Sequence, residues 1–410
     1  MILRVKDYTT KVGSGVTPKG GAETYLDSGI PLFRSQNVHD DGFVLEDIAY
    51  ISEETDELMK GSRVKAGDVL LNITGASIGR CYFTSDDFVC GNVNQHVCII
   101  RPKRKVIIPN YLHYLFISDI GQTYIDLTQT GANREGLTIK DIRTFSFDIP
   151  SLEKQLKIVE KLDAQLSSLD KRITALEKQC DAYARLKKSV IHQAVTRGLN
   201  PNVTLKDSGI EWIGMMPSHW EIRRFKEVFP RYSIGLTPES KNLNNFSDDV
   251  RYTWITIGDM TSKVVSESFM CLSESVIKEK KPIISRKGSL LFSFKLSIGK
   301  TAFAGKDLYT NEAIVSIPPH RGIELGYFYY LIPFICEANA TENIYGAKML
   351  NQKRIANMLF IVPPLSEQQE IANYLDEKCA KIDAAIENIT KQIDASKRLR
   401  KAIINEAISG

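Results

Sequence analysis

Few residues of this chain have the types and spacing that catalysis requires. Residues 13–21 have the glycine spacing of a phosphate-binding loop, but Gly21 stands where that motif has lysine. The double prolines at 318–319 and 363–364 lack the flanking residues of an adenine-methyltransferase motif. The six His residues are scattered, and the seven Cys residues have neither Cys-x-x-Cys nor zinc-ligand spacing. We therefore predict no catalytic residue, no metal site and free thiols in a reducing compartment.

Polar residues in the predicted loops suit binding better than catalysis. Asn and Gln can make paired hydrogen bonds to adenine, Arg can do so to guanine, and Lys, Ser and Thr can hold phosphates. In the first half of the chain the candidates are Thr17, Lys19, Arg34, Gln36, Asn37, Thr74, Ser77, Arg80, Asn94, Gln95, Asn133 and Arg134. In the second half they are Thr237, Lys295, Ser297, Lys300, Asn311 and Lys348. A polar loop residue is usually only solvated, but recurrence at equivalent positions favours binding by the group.

Two long helices must position these loops, and a repeated apolar pattern predicts them. The segment that opens one helix contains Pro150, and the segment that opens the other contains Pro363, 213 positions later. Apolar spacings that alternate between four and three residues are typical of a coiled-coil seam. The predicted seam residues are Leu162, Leu166, Leu169, Ile173, Leu176, Cys180, Leu375, Cys379, Ile382, Ile386, Ile389 and Ile393. Each helix is about 65–70 Å long, and we expect the two to pair antiparallel within the molecule.

Local features of the two helices can also be predicted. Leu186 is expected to continue the first seam, and Ser151 can cap the first helix. Ser366, with glutamine three residues later, is expected to form a capping box at the start of the second. Asp170 and Asp383, which are equivalent in the repeat, are expected to form ion pairs along the flanks rather than to act as acids or bases.

The globular halves repeat one another as well. Gly-x-Thr-Pro occurs at 15–18 and again at 235–238, and Asn94-Gln95 returns as Asn311-Glu312. Short β-branched and aromatic runs between polar turns predict strands. We predict an α+β fold with a pseudo-two-fold internal repeat, in which two similar globular domains are separated by two long helices that form an antiparallel coiled coil. The predicted boundaries are 1–150 for the first domain, 151–198 for the central helix, 199–362 for the connector and second domain, and 363–410 for the C-terminal helix.

Composition sets the broad class of the protein. At 410 residues the chain is long enough for several domains. Apolar residues make up 43% and charged residues 25%, which is typical of soluble globular proteins. No apolar run approaches the roughly 20 residues of a membrane helix, and the N-terminus has no signal-peptide core. We therefore expect a cytoplasmic protein, whose net charge of +4 permits a polyanionic partner without requiring one.

Together these motifs resemble the specificity subunit of type I restriction-modification systems. The strongest marks are the helix start Pro363-Pro364-Leu365-Ser366-Glu367-Gln368-Gln369 and a connector, residues 207–220, that looks like the usual opening of the second repeat. The resemblance covers essentially the whole chain, and the combination of motifs is specific although no single motif is. Two features depart from the family pattern: Lys154 stands where Glu is usual, and the first half lacks the opening that precedes the second.

The resemblance implies a role in DNA recognition. Each globular half would be a target recognition domain that reads one part of a bipartite, asymmetric DNA site. The helices would set the distance between the half-sites and dock two methyltransferase subunits. In the family, two restriction subunits can join that complex. S-adenosylmethionine, ATP and Mg would belong to those partners, and this chain would be non-catalytic and hold no cofactor.

Two other classes of function remain open from the residues alone. A non-catalytic helical strut could carry two heads that bind proteins or glycans. A nuclease or methyltransferase in its own right would need activity from the purified chain, which we do not expect. Strong salt dependence of duplex binding would separate a DNA-binding protein from the strut, because phosphate contacts release counterions.

Overall fold

Two compact units make up the chain. The computed structural model describes residues 1–129, 136–239, 241–342 and 348–410. One unit comprises residues 1–177 and 390–410, and the other comprises residues 178–389. Each unit contains one globular domain together with a part of both long helices. The predicted four-part division, by contrast, treats each long helix as a separate part, and that division stays a prediction.

The first globular domain is a mixed α+β structure built on an antiparallel sheet. Its strands, β1 to β11, are Ile2–Arg4, Thr9–Ser14, Ile30–Phe33, Val38–His39, Gly42–Phe43, Ala49–Ile51, Val69–Asn72, Cys81–Phe83, Asn92–Val93, Val97–Pro102 and Ser146–Asp148. Its helices, α1 to α4, are Glu53–Leu58, Pro109–Ile117, Asp119–Gln129 and Ile139–Thr144. Strands β2, β10, β7 and β8 lie side by side in that order, and α2 packs on them through an almost wholly buried surface.

The second globular domain repeats this plan. After the first long helix, α5 (Leu152–Arg197), its strands β12 to β26 are Leu205–Asp207, Met215–Pro217, Glu221–Arg224, Ser233–Ile234, Phe246–Ser247, Trp254–Ile255, Val264–Val265, Cys271–Leu272, Leu290–Ser293, Thr301–Ala304, Tyr309–Thr310, Ile314–Ile317, Thr341–Glu342, Lys348–Met349 and Leu359–Val362. Helices α6 to α10 are Phe225–Val228, Glu274–Lys280, Leu325–Asn339, Gln352–Asn357 and Leu365–Ser409. Strands β15, β23, β20 and β21 stand in the order of their first-domain counterparts, and β18 adds a parallel edge.

The long helices α5 and α10 run antiparallel inside each unit. In the first unit, Asp170 on α5 contacts Arg400 on α10. Two turns further along α5, Glu177 contacts Lys397, which lies one turn earlier on α10. In the second unit, Lys187 contacts Asp383. Val195, further along α5, shares a hydrophobic core there with residues from the first turns of α10. The predicted α+β fold with two similar domains and two long paired helices is therefore confirmed.

The seam residues lie on the inner faces of these helix segments. Most of them are buried, namely Leu162, Leu166, Leu169, Ile173, Leu375, Cys379, Ile382, Ile389 and Ile393. Leu176, Cys180 and Ile386 are half-buried. An exposed ion pair contributes only about 0–1 kcal/mol, whereas full burial of one Leu or Ile contributes roughly 1.5–3 kcal/mol. Apolar burial along the seam, rather than the flanking charges, therefore holds the helices together.

Two local predictions for the helices were wrong. Leu186 is 48% exposed, and Lys187 faces the partner helix instead, with its Nζ 2.7 Å from Asp383 Oδ1. Ser366 lies inside the first turn, because α10 already begins at Leu365, so it cannot act as a cap. Ser151 does precede α5 as expected and accepts a hydrogen bond from the backbone N–H of Lys154 at 3.3 Å.

Over the described ranges, no helix is both long enough and apolar enough to cross a membrane. All seven cysteines lie within these ranges and are free thiols, as the sequence predicts.

Candidate nucleic-acid interface

Strand register brings the candidate loops of the first domain to one edge of its sheet. Ser14, the last residue of β2, pairs with Cys98 near the start of β10. Val97, the first residue of β10, pairs with Asn72 at the end of β7. The loops after β2, before β10 and after β7 therefore converge. The end of β3 joins them, because the backbone N–H of Asn94 donates to the carbonyl of Phe33 at 3.2 Å.

The second domain builds the same edge from the same strands. Ile234 at the end of β15 pairs with Val315, and Ser293 at the end of β20 pairs with Ile314. The loops that carry Thr237, Asn311 and residues 295–300 are therefore neighbours. These two edges contain nearly all the predicted binding residues. In the sequence those residues are up to 78 positions apart in the first domain, from Thr17 to Gln95, and up to 111 apart in the second, from Thr237 to Lys348.

The glycines of the repeated Gly-x-Thr-Pro motif make this convergence possible. The N–H of Gly15 donates to the Val97 carbonyl at 3.0 Å, and the N–H of Gly235 donates to the Ile314 carbonyl at 3.2 Å. A Cβ on Gly15 would overlap the backbone of Val93, and a Cβ on Gly235 would overlap the corresponding strand backbone. Only glycine allows so close an approach of two backbone segments.

A chain of polar side chains ties the first edge together. The hydroxyl of Thr17 donates to Gln95 Oε1, and Gln95 Nε2 lies 2.9 Å from His96 Nε2. The other ring nitrogen of His96 lies 2.5 Å from Thr74 Oγ1. Residues from three loops thus form one connected polar surface. Sequence reasoning missed His96, although its place directly after the repeated Asn94-Gln95 pair was a usable signal.

The edge of the second domain is held by backbone contacts instead. The N–H of Glu312 donates to Thr237 Oγ1 at 3.4 Å, which links the loops before β23 and after β15. Lys295 pairs with Met349 through an isolated bridge, as Thr74 pairs with Gly136 in the first domain. This bridge brings the neighbouring Lys348 to the edge. The scaffold is therefore shared between the domains, whereas the side chains that it presents are different.

Several predicted binding residues turn inward, and we withdraw them as DNA contacts. Asn37 is fully buried, and its side chain bonds the backbone of Arg34 and of Val44. Asn94 is 7% exposed, and its Oδ1 accepts the N–H of a residue two positions later, which shapes the turn. Lys300 donates through Nζ to a backbone carbonyl at 2.9 Å. The sequence could not show that these polar groups complete the fold.

The remaining candidates stay available to a ligand. The exposed ones are Lys19, Gln36, Arg80, Gln95, Thr237, Ser297 and Lys348. The half-buried ones are Thr17, Arg34, Thr74, Ser77, Lys295 and Asn311, of which Asn311 uses Oδ1 to accept the N–H of Ala313. Asn133 and Arg134 lie outside the described residues. The guanidinium of Arg34 donates to the Asp47 carbonyl and stacks over the Tyr25 ring, which fixes its position.

A duplicated glutamine joins each helix to its globular domain, and sequence reasoning gave it no role. Gln155 Nε2 donates to the Pro150 carbonyl at 2.9 Å, and its Oε1 accepts the N–H of Ile108 at 2.9 Å. Gln368, 213 positions later, makes the same two bonds to Pro363 and to Glu324. Both amides are buried, so each bond would be costly to lose. The repeat itself was the signal that could have revealed them.

Two further contacts of the helices are duplicated at equivalent positions. The hydroxyl of Tyr114 donates to Asp163 at 2.5 Å, and that of Tyr330 donates to Asp376 at 2.6 Å. Burial is the larger cause, and the hydrogen bond to the carboxylate the second, of a pKa well above the usual range for both phenols. Each hydroxyl therefore remains a donor. These contacts fix the orientation of each domain on its segments of α5 and α10.

The helix ion pairs recur as well. Arg400 Nε lies 3.2 Å from Asp170 Oδ1, and the equivalent Lys187 contacts Asp383. The prediction that these two aspartates form flanking ion pairs is therefore confirmed. In the first pair the carboxylate lies on α5 and the cation on α10, and in the second pair the reverse is true. A pseudo-two-fold repeat requires this reversal.

His113 belongs to the core of the first domain. His113 is buried, and its Nδ1 lies 3.6 Å from the sulfur of Cys81. Burial, and then the charge of Arg400, lowers the pKa of His113 to about 3, so the ring is neutral near pH 7. Among the residues with a described placement, no cluster of three or more His, Cys, Asp or Glu could hold a metal ion.

Comparison with known proteins matches this duplicated architecture. The family model described as the type I restriction modification DNA specificity domain matches residues 5–181 and 217–395. The putative type I restriction enzyme MjaX specificity subunit of Methanocaldococcus jannaschii is 22% identical over 100% of this chain and 92% of its own length. The EcoKI specificity subunit of Escherichia coli K12 is 22% identical over 100% of this chain and 88% of its own length.

Solved structures share the fold. A chain from a study of complex assembly in the type I restriction-modification system has a TM-score of 0.74 and 16% identity, covering 100% of this chain and 97% of that one. The HsdS subunit of Thermoanaerobacter tengcongensis has a TM-score of 0.51 and 18% identity, covering 100% and 96%. With two matched domains that span most of its length, this chain belongs to the family of type I restriction-modification DNA specificity proteins, as its sequence motifs suggested.

Proposed function

We propose that each globular domain reads one half of a bipartite DNA site with the loops at its sheet edge. The observation that carries this proposal is the duplicated edge, in which one backbone scaffold presents different side chains. The bridged loop position is Thr74 in the first domain and Lys295 in the second. Gln95 of the first domain is likewise replaced by Glu312 in the second. Different side chains on one scaffold would read different bases, so the site should be asymmetric. Membership of the family supports DNA recognition and a non-catalytic subunit.

The paired helices would set the distance between the half-sites and dock the partners. Their equivalent contacts, such as those of Gln155 and Gln368, would hold the two domains in equivalent orientations on their helix segments. A pseudo-two-fold pair of helix surfaces suits two identical methyltransferase subunits, and two restriction subunits can complete the complex. S-adenosylmethionine, ATP and Mg would then reside on those partners, and the complex would work on DNA in the cytoplasm.

The alternative is a helical strut whose heads bind proteins or glycans. The sheet edges favour DNA over that reading because each bears accessible cations. These are Lys19, Arg34 and Arg80 in the first domain and Lys295 and Lys348 in the second. A protein that neutralises about six phosphates loses on the order of a thousandfold in affinity between 50 and 200 mM salt. Heads that bind proteins or glycans would not show this salt dependence of affinity for a DNA duplex.

Duplex binding at several salt concentrations tests the proposal. The chain, assembled with its proposed methyltransferase partner, should bind a duplex that carries its site with this steep salt dependence. Lys348→Gln should reduce the slope of log K against log salt by about 1, because it removes one phosphate contact. Lys287→Gln is the matched control: Lys287 is exposed but precedes β20, at the opposite edge of the same sheet, and its loss should leave the slope unchanged. A salt-independent affinity would favour the strut.

A further inference from the structure

The loop between β20 and β21 contains a leucine that the fold does not need. Leu296 has a φ of 60°, in the left-handed region, and is 77% exposed. In that conformation the Cβ crowds the following carbonyl oxygen, so residues other than glycine, Asn and Asp rarely adopt it. Exposure means that the side chain gains almost no burial in return. Backbone strain at an exposed site is retained mainly where it serves a function.

The first domain has a related loop, one residue longer, with glycine at the left-handed position. Gly75 occupies the equivalent position, with a φ of 73° and open space where a Cβ would be. The Gly75 carbonyl accepts the N–H of Ile78 at 3.0 Å, and the Leu296 carbonyl accepts the N–H of Ile298 at 3.0 Å. In both loops the residue after the bridged position is left-handed, and in the first domain glycine meets that need without strain. The leucine is an addition specific to the second domain.

The loop is braced, so this side chain projects from a fixed backbone. The Ser293 hydroxyl donates to the Ser297 carbonyl and accepts the N–H of Lys300 at 3.0 Å. On the other side of the leucine, Lys295 is anchored by its bridge to Met349. An apolar group on a rigid loop can reach a partner without first losing conformational entropy.

We propose that Leu296 is a specificity-determining residue that contacts the 5-methyl group of a thymine in the half-site read by the second domain. This inference rests on the proposed function and names one contact within it. The thymine methyl is the apolar group that distinguishes A·T pairs in the major groove, and short apolar side chains read it. Lys295 and Ser297 flank the leucine and could hold the adjacent phosphates, which would direct its side chain at the bases.

Replacing thymine by deoxyuridine, which lacks only the methyl, tests the contact directly. The chain assembled with its methyltransferase partner would be titrated with duplexes in which each thymine of that half-site is replaced in turn. At one position the parent complex should lose about three- to tenfold in affinity, the effect of one buried methyl group. With Leu296→Gly, thymine and deoxyuridine duplexes should bind equally, at the weaker level.

Two controls separate recognition from folding. Leu296→Gly should have a thermal midpoint at least as high as the parent, because glycine accepts the left-handed backbone. Leu243→Ala removes another leucine of the same domain, 81% exposed, and should keep the thymine dependence. Specific binding without sensitivity to deoxyuridine, or sensitivity that survives in Leu296→Gly, would overturn the assignment of Leu296 alone. A parent complex that does not prefer its site to a scrambled duplex would overturn the proposed function with it.

Discussion

Inserting three heptads into each long helix is expected to lengthen the gap between the two DNA half-sites by about nine base pairs. Twenty-one helical residues add about 31 Å, and each base pair adds 3.4 Å. Whole heptads preserve the register of the seam, and about nine base pairs come close to the 10–10.5 base pairs that complete one turn of the duplex. The insertions would follow Glu177 and Ile389, where the contacts divide the chain into its two units. Sequencing of methylated sites in cells would measure the gap.

Controls for this experiment disturb the seam without adding matched length. Three heptads in α5 alone leave the added seam residues without partners, so the chain should lose stability and methylation should fall. Two residues in both helices turn the apolar face after each insertion by about 200° relative to the face before it. This breaks the seam and should have the same effect. If the variant with heptads in both helices is active but its gap is unchanged, the helices do not set the spacing.

Replacing Gly15 or Gly235 by alanine is expected to disable one half-site each. The added methyl would overlap the backbone of the neighbouring strand, so β2 or β15 must shift. Overpacking of this kind typically costs about 1–3 kcal/mol and can cost more against rigid backbone. Gly15→Ala should therefore lower the stability of the first domain and weaken reading of its half-site alone. Gly235→Ala should do the same for the second.

Matched glycines make this comparison clean. Gly61 has open space where a Cβ would be, and Gly258 would meet its nearest neighbour at 3.5 Å, an ordinary contact. Alanine at either position should leave stability and both half-sites intact. Thermal unfolding and competition between duplexes altered in one half-site provide the two readouts. Normal stability of Gly15→Ala, or equal loss at both half-sites, would contradict the role given to these glycines.

Periodicity made the helices predictable, whereas their exceptions depended on three-dimensional contacts. The four-three spacing sets which face of a helix is apolar, and Leu162 and Leu375 are fully buried as that spacing requires. The spacing could not show that Lys187 replaces Leu186 on the inner face. An ion pair to Asp383 on the other helix offsets the cost of partly burying the Lys187 side chain, and periodicity does not reveal that partner. Likewise, α10 begins at Leu365, one residue ahead of Ser366, so the cap predicted from residue type was misplaced.

The binding edge was harder to predict because a polar residue can serve the fold or a ligand. Asn37 and Gln95 look alike in the sequence, yet Asn37 satisfies buried backbone groups while Gln95 is exposed. Burial depends on strand pairings that span about 80 positions, which one sequence does not reveal. Leu296 was missed for the opposite reason, since an apolar loop residue carries no signal of function until its backbone conformation is known.

The repeat gave the most reliable guidance where it was strict. Leu162 and Leu375, 213 positions apart, are both buried in the seam as predicted. Gln155 and Gln368 have the same offset and make the same pair of bonds, but sequence reasoning did not use that signal. In the loops the offset varies, and there the scaffold is conserved between the halves while the side chains differ. That contrast is the physical basis for proposing two different half-sites on one pair of helices.

Single-molecule sequencing of methylated DNA from cells that express this chain with its methyltransferase partner tests the central claim most directly. The account predicts one asymmetric site made of two short half-sites separated by a fixed non-specific gap. Exchange of residues 230–360 for the equivalent part of a relative should change one half-site and leave the other half-site and the gap unchanged. A continuous or symmetric site, or a change in both half-sites after the exchange, would contradict it.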